Sequence, residues 1–439
     1  NTAAGPGIKG KKRDHVVEAC TLDCQLSPCS RFHPSPEDHQ FPGRVNYVPD
    51  PGFLRGVHAM ETKLREDPVG AAVFAANLKD EPIDILKKKI RVFFVGMTAF
   101  NVAVRRWLSP LFAMLNDDTT ASECSVGIDV MSQDWDKLMT DLDAYDERKR
   151  LAGDYSNYDN SIPLEIVRRI FLVLVAVARA ADWAESDVLM VQNIGIALQT
   201  PIYDVLGAIF LVEGTNPSGV AVTSYLNSAY NSFIHRIAFY TKNPGLRASA
   251  CVLTRRGDPP FRDSVALRTY GDDVLGAVRP DSEYQSEQIT NFDVRDAALL
   301  LEMKYGAADK GGILPETYDK DDVSYLKCTT VYCPSIKRSV GKLALSSIRK
   351  SLAFQRNAGL DAAINTANSA LRLFYAHCDS DEGRTAFAEL RENLISRLAE
   401  PTAINRETLL VSFQDLTTSL STGIPMGSTI PEEWEAMWL

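Results

Sequence analysis

An α+β chain of several subdomains is what this sequence predicts, and three observations predict it. At 439 residues with 45% hydrophobic content, it can bury a large core and exceeds the usual size of one domain. Residues 265–278, VALRTYGDDVLGAV, alternate around a Gly-Asp-Asp tip, as a β-hairpin exposing acidic residues at its turn does. Residues 160–185, and then 340 almost to 399, instead repeat their apolar positions at helical spacing.

Taken in order, residues 1–111 mix Pro/Gly-rich loops (PSPEDHQFPGR, NYVPDPGF) with short apolar runs and read as irregular and loop-rich. Within them IRVFFVG (90–96) is strand-like in its β-branched and aromatic content. Pro163 can open a first helical turn, after which Ile166, Ile170, Leu172, Val173 and Val177 recur at helical spacing. A second helix is expected over 218–240. Residues 400–439, rich in Thr, Ser, Pro and isolated aromatics, read as a tail lying on other surfaces. The sequence carries neither an internal repeat nor a low-complexity tract.

Composition narrows the class. No window approaches the run of about twenty apolar residues that a membrane helix needs; even FLVLVAVARAADWA (171–184) is broken by charge. The opening NTAAGPGIKGKKRDHV has no apolar stretch after its basic residues, unlike a secretory signal, so a soluble protein is expected. Eight cysteines are too sparse for a disulfide scaffold and point to free thiols in a reducing compartment. Cys20, Cys24, Cys29 and His33 are spaced C-x3-C-x4-C-x3-H, which matches no standard zinc pattern; a metal-free excursion is the expectation. The net charge of -10 argues against a uniformly basic nucleic-acid coat and leaves local clusters to decide, at Lys9, Lys11, Lys12 and Arg13 and at Lys87, Lys88, Lys89 and Arg91.

The chemistry-bearing residues are acidic. Asp154 and Asp159 lie in LAGDYSNYDNSIP, where an apolar approach gives way to the helical stretch, and Asp272 and Asp273 lie in YGDDV. Taken singly, adjacent aspartates at a turn often just favour the turn, and Asp159 suits a helix cap. Together, two acidic sites far apart in sequence, each at the end of an expected strand, can meet on one sheet and hold a pair of Mg²⁺ ions. Phosphoryl transfer needs such an arrangement of hard oxygen ligands.

DYSNYD (154–159), PSGVAVTSYLN (217–227) and YGDD (270–273) resemble, in order and spacing, the palm motifs A, B and C of picornavirus-like viral RNA-dependent RNA polymerases. The resemblance extends outward over nearly the whole chain. TAAGPG (2–7) is similar to the template-guiding motif G, although the family has an aromatic and a proline where Pro6 and Gly7 stand. KDEPIDILKKKIR (79–91) resembles motif F with a shorter loop, and AADK (307–310) the end of motif D. YLKC (325–328) resembles motif E, with Cys328 in place of a basic residue, and SSIRKSLAF (346–354) the start of the thumb.

The resemblance implies roles. Asp154 and Asp272 would coordinate two Mg²⁺ ions, for which Mn²⁺ can substitute, with Asp273 a weaker metal partner. Arg91, assisted by Lys79, would grip the incoming triphosphate through its bidentate donors. Lys310 would protonate the departing pyrophosphate as general acid. Asp159, Ser218, Gly219, Thr223 and Asn227 would form the nucleotide and ribose site, the four-residue spacing of Thr223 and Asn227 placing both on one helix face. Thr2, Gly5, Lys87, Lys88, Lys89 and Lys327 would touch RNA.

The implied fold is a right hand: fingers over 1–111, palm over 112–195, a return to the fingers over 196–217, palm over 218–333, and a helical thumb with tail over 334–439. The implied function is RNA-directed RNA synthesis in replication and transcription of a viral genome. RNA template and primer, NTPs, a genome-linked protein primer and other viral replication proteins are the expected partners. Host cytoplasmic replication complexes or a virus-derived compartment are the expected location. Motif G begins at residue 2, whereas relatives carry a long segment before it, so the sequence is expected to be a proteolytic fragment, a truncated form or one piece of a longer polyprotein product. Two rivals share parts of this pattern. A reverse transcriptase has the paired aspartates, but with a bulky aromatic where Asp159 stands; a silent RNA-binding relic would have lost a metal ligand.

Overall fold

The structure, a computed structural model, describes residues 51–79, 91–146, 148–249, 257–308, 312–353, 359–398 and 410–423, together with two paired strands near the start. These open the chain as β1 (Val16–Ala19) and β2 (Asn46–Pro49). There follow α1 (Pro51–Glu66), β3 (Val73–Leu78), β4 (Val92–Gly96), α2 (Thr98–Asp117), α3 (Thr119–Ser122) and α4 (Gln133–Asp143). The middle of the chain forms β5 (Arg150–Ser156), α5 (Tyr158–Ser161), α6 (Leu164–Ala180), α7 (Glu185–Gln199), β6 (Ile202–Val205), β7 (Ala208–Leu211) and α8 (Thr223–Lys242). Next come α9 (Pro260–Ser264), β8 (Val265–Tyr270), β9 (Asp273–Val278), α10 (Asn291–Leu300) and β10 (Lys304–Gly306). The described residues end with β11 (Cys328–Cys333), β12 (Arg338–Leu343), α11 (Leu345–Ala353), α12 (Leu360–Phe374), α13 (Asp381–Leu398) and, last among them, a helix over Phe413–Thr422.

These elements form two units, each discontinuous in sequence: Asn1–Cys124, Tyr155–His235 and Asp296–Tyr305 make the first, and Ser125–Asp154, Arg236–Arg295 and Gly306–Leu439 the second. The first contains a four-stranded sheet in the order β4-β3-β6-β7, mixed because β3 runs parallel to β6. Its helices are amphipathic in the manner burial requires: α6 buries Ile166, Val167, Ile170, Phe171, Leu174, Val175 and Ala178, one face at helical period. Gly195 of α7 lets the two helices approach, since a Cβ there would lie 2.5 Å from the Phe171 ring. Asn193 of α7 donates to the carbonyl of Leu64 at 2.9 Å, tying α7 to the end of α1.

The second unit carries the antiparallel ladder β5-β9-β8, three neighbouring strands of a sheet ordered β10-β5-β9-β8. Helix α4 packs Trp135, Leu138 and Leu142, spaced for one face, in a cluster with Ala152, Ala266, Leu275 and Ala277 of those strands. Two arginines are buried with them, which only pairing permits: Arg268 donates to Asp141 at 3.1 Å, and Arg150 pairs with Asp143, both acids near the end of α4. A separate core joins the β11–β12 hairpin to α12, α13 and the last helix through Val340, Leu371, Tyr375, Phe387, Leu416 and Leu420.

Several expectations are met and several corrected. IRVFFVG contains β4; 160–185 contains α6, with Pro163 as its N-cap; 218–240 contains most of α8; 265–278 is the β8–β9 hairpin. The reading of 1–111 as irregular is wrong over Pro51–Glu66 and Thr98–Asp117, two helices of 16 and 20 residues. Pro110 inside α2 and the Pro-Gly opening of α1 disguised them, because both residues ordinarily punctuate loops. Residues 413–422 of the expected tail are a helix with a capping box between Ser412 and Asp415, which buries Leu416 and Leu420 in a core. No helix among the described residues is long and apolar enough to cross a membrane.

Candidate active site

The acidic centre is built by strand register in the second unit. Tyr270 pairs with Asp273, so Gly271 and Asp272 alone make the turn between β8 and β9. Gly271 sits at φ +67 in the first central position, where a two-residue hairpin turn of the Gly-first kind needs a glycine. Asp272 and Asp273 are thereby exposed at the tip, above a hairpin whose other residues are buried except for the half-buried Tyr270. On the neighbouring strand Gly153 pairs with Val274, and one step along the antiparallel ladder brings Asp154 level with Asp273. Strands lie about 4.8 Å apart, so the two carboxylate-bearing backbones are neighbours.

The donors at this centre fit Mg²⁺ in kind, being carboxylate oxygens on adjacent strand ends. Their side chains are not gathered into a ready-made cage: among the described residues, no three His, Cys, Asp or Glu side chains form a group that could hold a metal ion.

The second centre lies in the first unit and is built by hydrogen bonds. After β5, Asn157 adopts a left-handed φ of +57, a conformation asparagine tolerates, and turns the chain into α5 with Asp159 in its first turn. Asp159 accepts from the Asn227 side-chain amide at 2.6 Å, and Asn227 in turn accepts from the Asn216 amide at 2.7 Å. The backbone N–H of Asn216 donates to the carbonyl of Asp159 at 2.7 Å, and Tyr158 donates to that of Asn227 at 3.0 Å. Asn227 and Asn216 are 5% and 1% exposed, so their polar atoms depend on these bonds. Tyr203, which bonds Thr215 at 2.8 Å, has its phenol pushed up to about 12, by burial first and then by the nearby Asp159 charge, and stays neutral.

The loop before α8 is clamped to β4. Gly219 bridges Val95, the Phe94 N–H donates to the Ser218 hydroxyl at 3.2 Å, and Asn101 of α2 donates to the Gly219 carbonyl at 2.8 Å. Asn101 also accepts from the Ala221 N–H at 2.9 Å. A Cβ at Gly219 would fall 2.0 Å from the Phe94 carbonyl oxygen, so only glycine fits. The Thr223 hydroxyl faces the carbonyls of Val220 at 2.7 Å and Pro217 at 3.1 Å, and so braces the turn.

Of the remaining candidates, Lys79 and Arg91 are brought together: the Lys79 N–H donates to the Arg91 carbonyl at 2.9 Å, continuing the β3–β4 ladder, and both side chains are exposed. Lys327 is exposed on a tight turn with φ +62, next to Cys328, whose thiol burial pushes up to about 11; no cation stands at 328. Cys124, Cys328, Cys333 and Cys378 are buried and form no disulfide. Thr2, Gly5, Lys87, Lys88, Lys89, Lys310 and the Cys20, Cys24, Cys29, His33 cluster lie outside the described residues. Asn216, Asn101 and Tyr158 escaped sequence reasoning. Asn216 had one available signal, its place directly before Pro-Ser-Gly, whereas Asn101 is 118 positions from the loop it holds.

Residues 55–390 match the family of viral RNA-dependent RNA polymerases, and the chain belongs to that family. Within it, the sequence is 26% identical over 303 residues to the replicase polyprotein of Drosophila C virus, covering 66% of this chain and 16% of that one. It is 24% identical over 333 residues to the replicase polyprotein of Cricket paralysis virus, covering 73% of this chain and 18% of the relative. It is 26% identical over 312 residues to the RNA1 polyprotein of Satsuma dwarf virus, covering 67% and 14%. The chain thus spans less than a fifth of the length of these polyproteins. Among solved structures, the Sicinivirus 3Dpol RNA-dependent RNA polymerase matches with a TM-score of 0.64 at 20% identity, over 86% of this chain and 72% of that one. This likeness shows the right-hand, α+β fold.

Proposed function

We propose that the chain is an RNA-directed RNA polymerase that extends an RNA primer on an RNA template with NTPs, releasing pyrophosphate, in the replication and transcription of a viral RNA genome. The observation that carries the reading is the register placing Asp154 level with Asp273, beside a turn made of Gly271 and Asp272. Asp154 and Asp272 would hold two Mg²⁺ ions, with Asp273 a weaker ligand. When bound, the ions supply the charge that makes a 3′-hydroxyl nucleophilic and that stabilises the leaving pyrophosphate.

The chain's own side chains complete the work. Arg91 and Lys79, paired through their backbones, grip the triphosphate, where arginine's fork suits phosphate oxygens. Lys310 delivers a proton to the pyrophosphate oxygen as its bond to the α-phosphorus breaks. Asp159 and Asn227 read the ribose 2′-hydroxyl, which can donate to the carboxylate and accept from the amide. The reading brings with it RNA, NTPs, a genome-linked protein primer and other viral replication proteins as partners, and cytoplasmic replication complexes as location.

Primer extension on a defined RNA template tests the proposal: Mg²⁺-dependent incorporation by the parent, lost in Asp272→Asn with RNA binding retained, is the expected result. An inactive parent that still binds RNA would favour the silent relic, and a preference for deoxyribonucleotides the reverse transcriptase.

A further inference from the structure

We propose that Asn216 is a positioning residue for sugar selection, fixing which end of the Asn227 amide faces Asp159. The inference rests on the ribose reading of Asp159 and Asn227. It begins at a backbone carbonyl. The side-chain nitrogen of Asn216 lies 3.2 Å from the carbonyl oxygen of Thr223, and that oxygen can only accept. The amino end of Asn216 is therefore the end turned this way, and the same nitrogen donates to Asn227 Oδ1 at 2.7 Å. Asn227 must then aim its own amino group at Asp159, as the 2.6 Å contact shows. Flipping the Asn227 amide would set amino against amino on one side and oxygen against carboxylate on the other.

The result is a pair of fixed polarity. Asp159 offers an acceptor and Asn227 a donor, the complement of a hydroxyl, which both donates and accepts. A 2′-hydrogen offers neither, so the bonds that a 2′-hydroxyl would add to this pair are lost, and with them the binding energy that favours the ribonucleotide.

Asn216 is itself held by main chain. Gly214 donates to the Gln199 carbonyl at 2.9 Å, Thr215 to that of Ile162 at 2.7 Å and Asn216 to that of Asp159 at 2.7 Å. Gly214 and Thr215 adopt φ of +76 and +66, and a Cβ at 214 would lie 2.6 Å from the Ile162 carbonyl oxygen. A β-branched residue with positive φ persists only where its surroundings fix it. Since none of these bonds uses the Asn216 side chain, replacing that side chain changes the polarity of the network with little displacement of the backbone.

The test compares the parent with Asn216→Asp and Asn216→Leu, of similar size. The first leaves only acceptors and would turn the Asn227 amino group toward itself; the second removes the donor without adding charge. The readout is the ratio of kcat/KM for CTP and dCTP opposite template G, with RNA affinity and thermal midpoint as measures of folding. Both variants should lower the ratio about tenfold or more through loss of CTP efficiency, with RNA affinity unchanged. An equal fall for both nucleotides marks a merely structural role and overturns the proposal. Asp159→Ala runs beside them. If it narrows the ratio while both Asn216 variants keep the parent value, the positioning role fails and the ribose reading stands. If Asp159→Ala leaves the ratio unmoved, the ribose reading fails and the inference with it. Should Asn216→Asp not fold, Asn216→Leu decides.

Discussion

Asp272 and Asp273 are exposed at the tip of a hairpin and owe their placement to strand register, whereas the amides of Asn216 and Asn227 are buried and owe their orientation to side-chain hydrogen bonds. The difference follows from what each centre is proposed to bind. A hydrated carboxylate on a rigid hairpin is inexpensive to keep ionised and is ready for a cation. A neutral hydroxyl offers no charge to grip, so discrimination has to come from buried donors and acceptors already oriented. Changes at the hairpin tip should therefore alter chemistry and spare stability, and changes in the network should alter both.

The largest effect expected from this contrast is at the tip. Asp272→Asn or Asp154→Ala should lower primer extension by about 10³-fold or more, the equivalent of about 4 kcal/mol, with the thermal midpoint and RNA affinity near the parent's. Extension within tenfold of the parent would remove the acidic centre from the reaction.

The loop before α8 should behave in the opposite way. Gly219→Ala drives a Cβ toward the Phe94 carbonyl oxygen, so β4 or the loop must shift, and stability should fall by about 1–3 kcal/mol along with activity. A chemical-denaturation midpoint equal to the parent's would show that the loop yields without cost. Asn227→Ala is intermediate: it takes one side-chain partner from Asn216 and one from Asp159 and should narrow the preference for ribonucleotides by about 1–3 kcal/mol, about 5- to 150-fold. A deoxyribonucleotide preference in the parent, released on truncation, would instead reveal an aromatic gate.

The same contrast explains what could be read from the sequence. The hairpin was legible because its information is local: alternation on both sides of Gly-Asp-Asp, with glycine where the turn demands it. Asp159 and Asn227 were legible through the order of their motifs, but the partner that orients them was not, since Asn216 looks like an ordinary loop asparagine until the fold sets it against Thr223 and Asn227. Helices α1 and α2 were lost to local signals that tertiary packing overrides: α2 carries Pro110 yet buries Phe100, Val104, Trp107, Leu108, Leu111 and Phe112. The C-terminal helix was lost to composition, since its Thr and Ser residues suggest a loop while Ser412 serves as its cap.

Asp129 combines the two settings and gives the smallest expected effect. It is tied by bonds like the buried network: Arg372 donates to its two oxygens at 3.0 and 2.5 Å, and the Met131 N–H donates at 3.0 Å. Its side chain is nevertheless 41% exposed. Burial pushes this carboxyl up, but the Arg372 hydrogen bonds, the Met131 N–H and the charges of Arg372 and Arg338 together outweigh it and hold the group below its ordinary range. A carboxyl with a lowered pKa in the fold binds fewer protons there than when unfolded, so its stabilisation is present above the unfolded value of about 3.9 and is lost as pH falls through the folded one. Solvent screening keeps the contribution below about 1 kcal/mol. Denaturation midpoints of the parent and Asp129→Asn should differ at pH 6, with the variant less stable, and should converge as the pH falls below 4. Asp293 and Asp415, also lowered, titrate alike in both proteins and cancel from the difference. High salt should shrink the gap at pH 6, as it does for any half-exposed pair. A gap that stays constant from pH 6 to 3 would mean that Asp129 acts through its shape and its neutral hydrogen bonds, and that the Arg372 pair adds no charge-dependent stability.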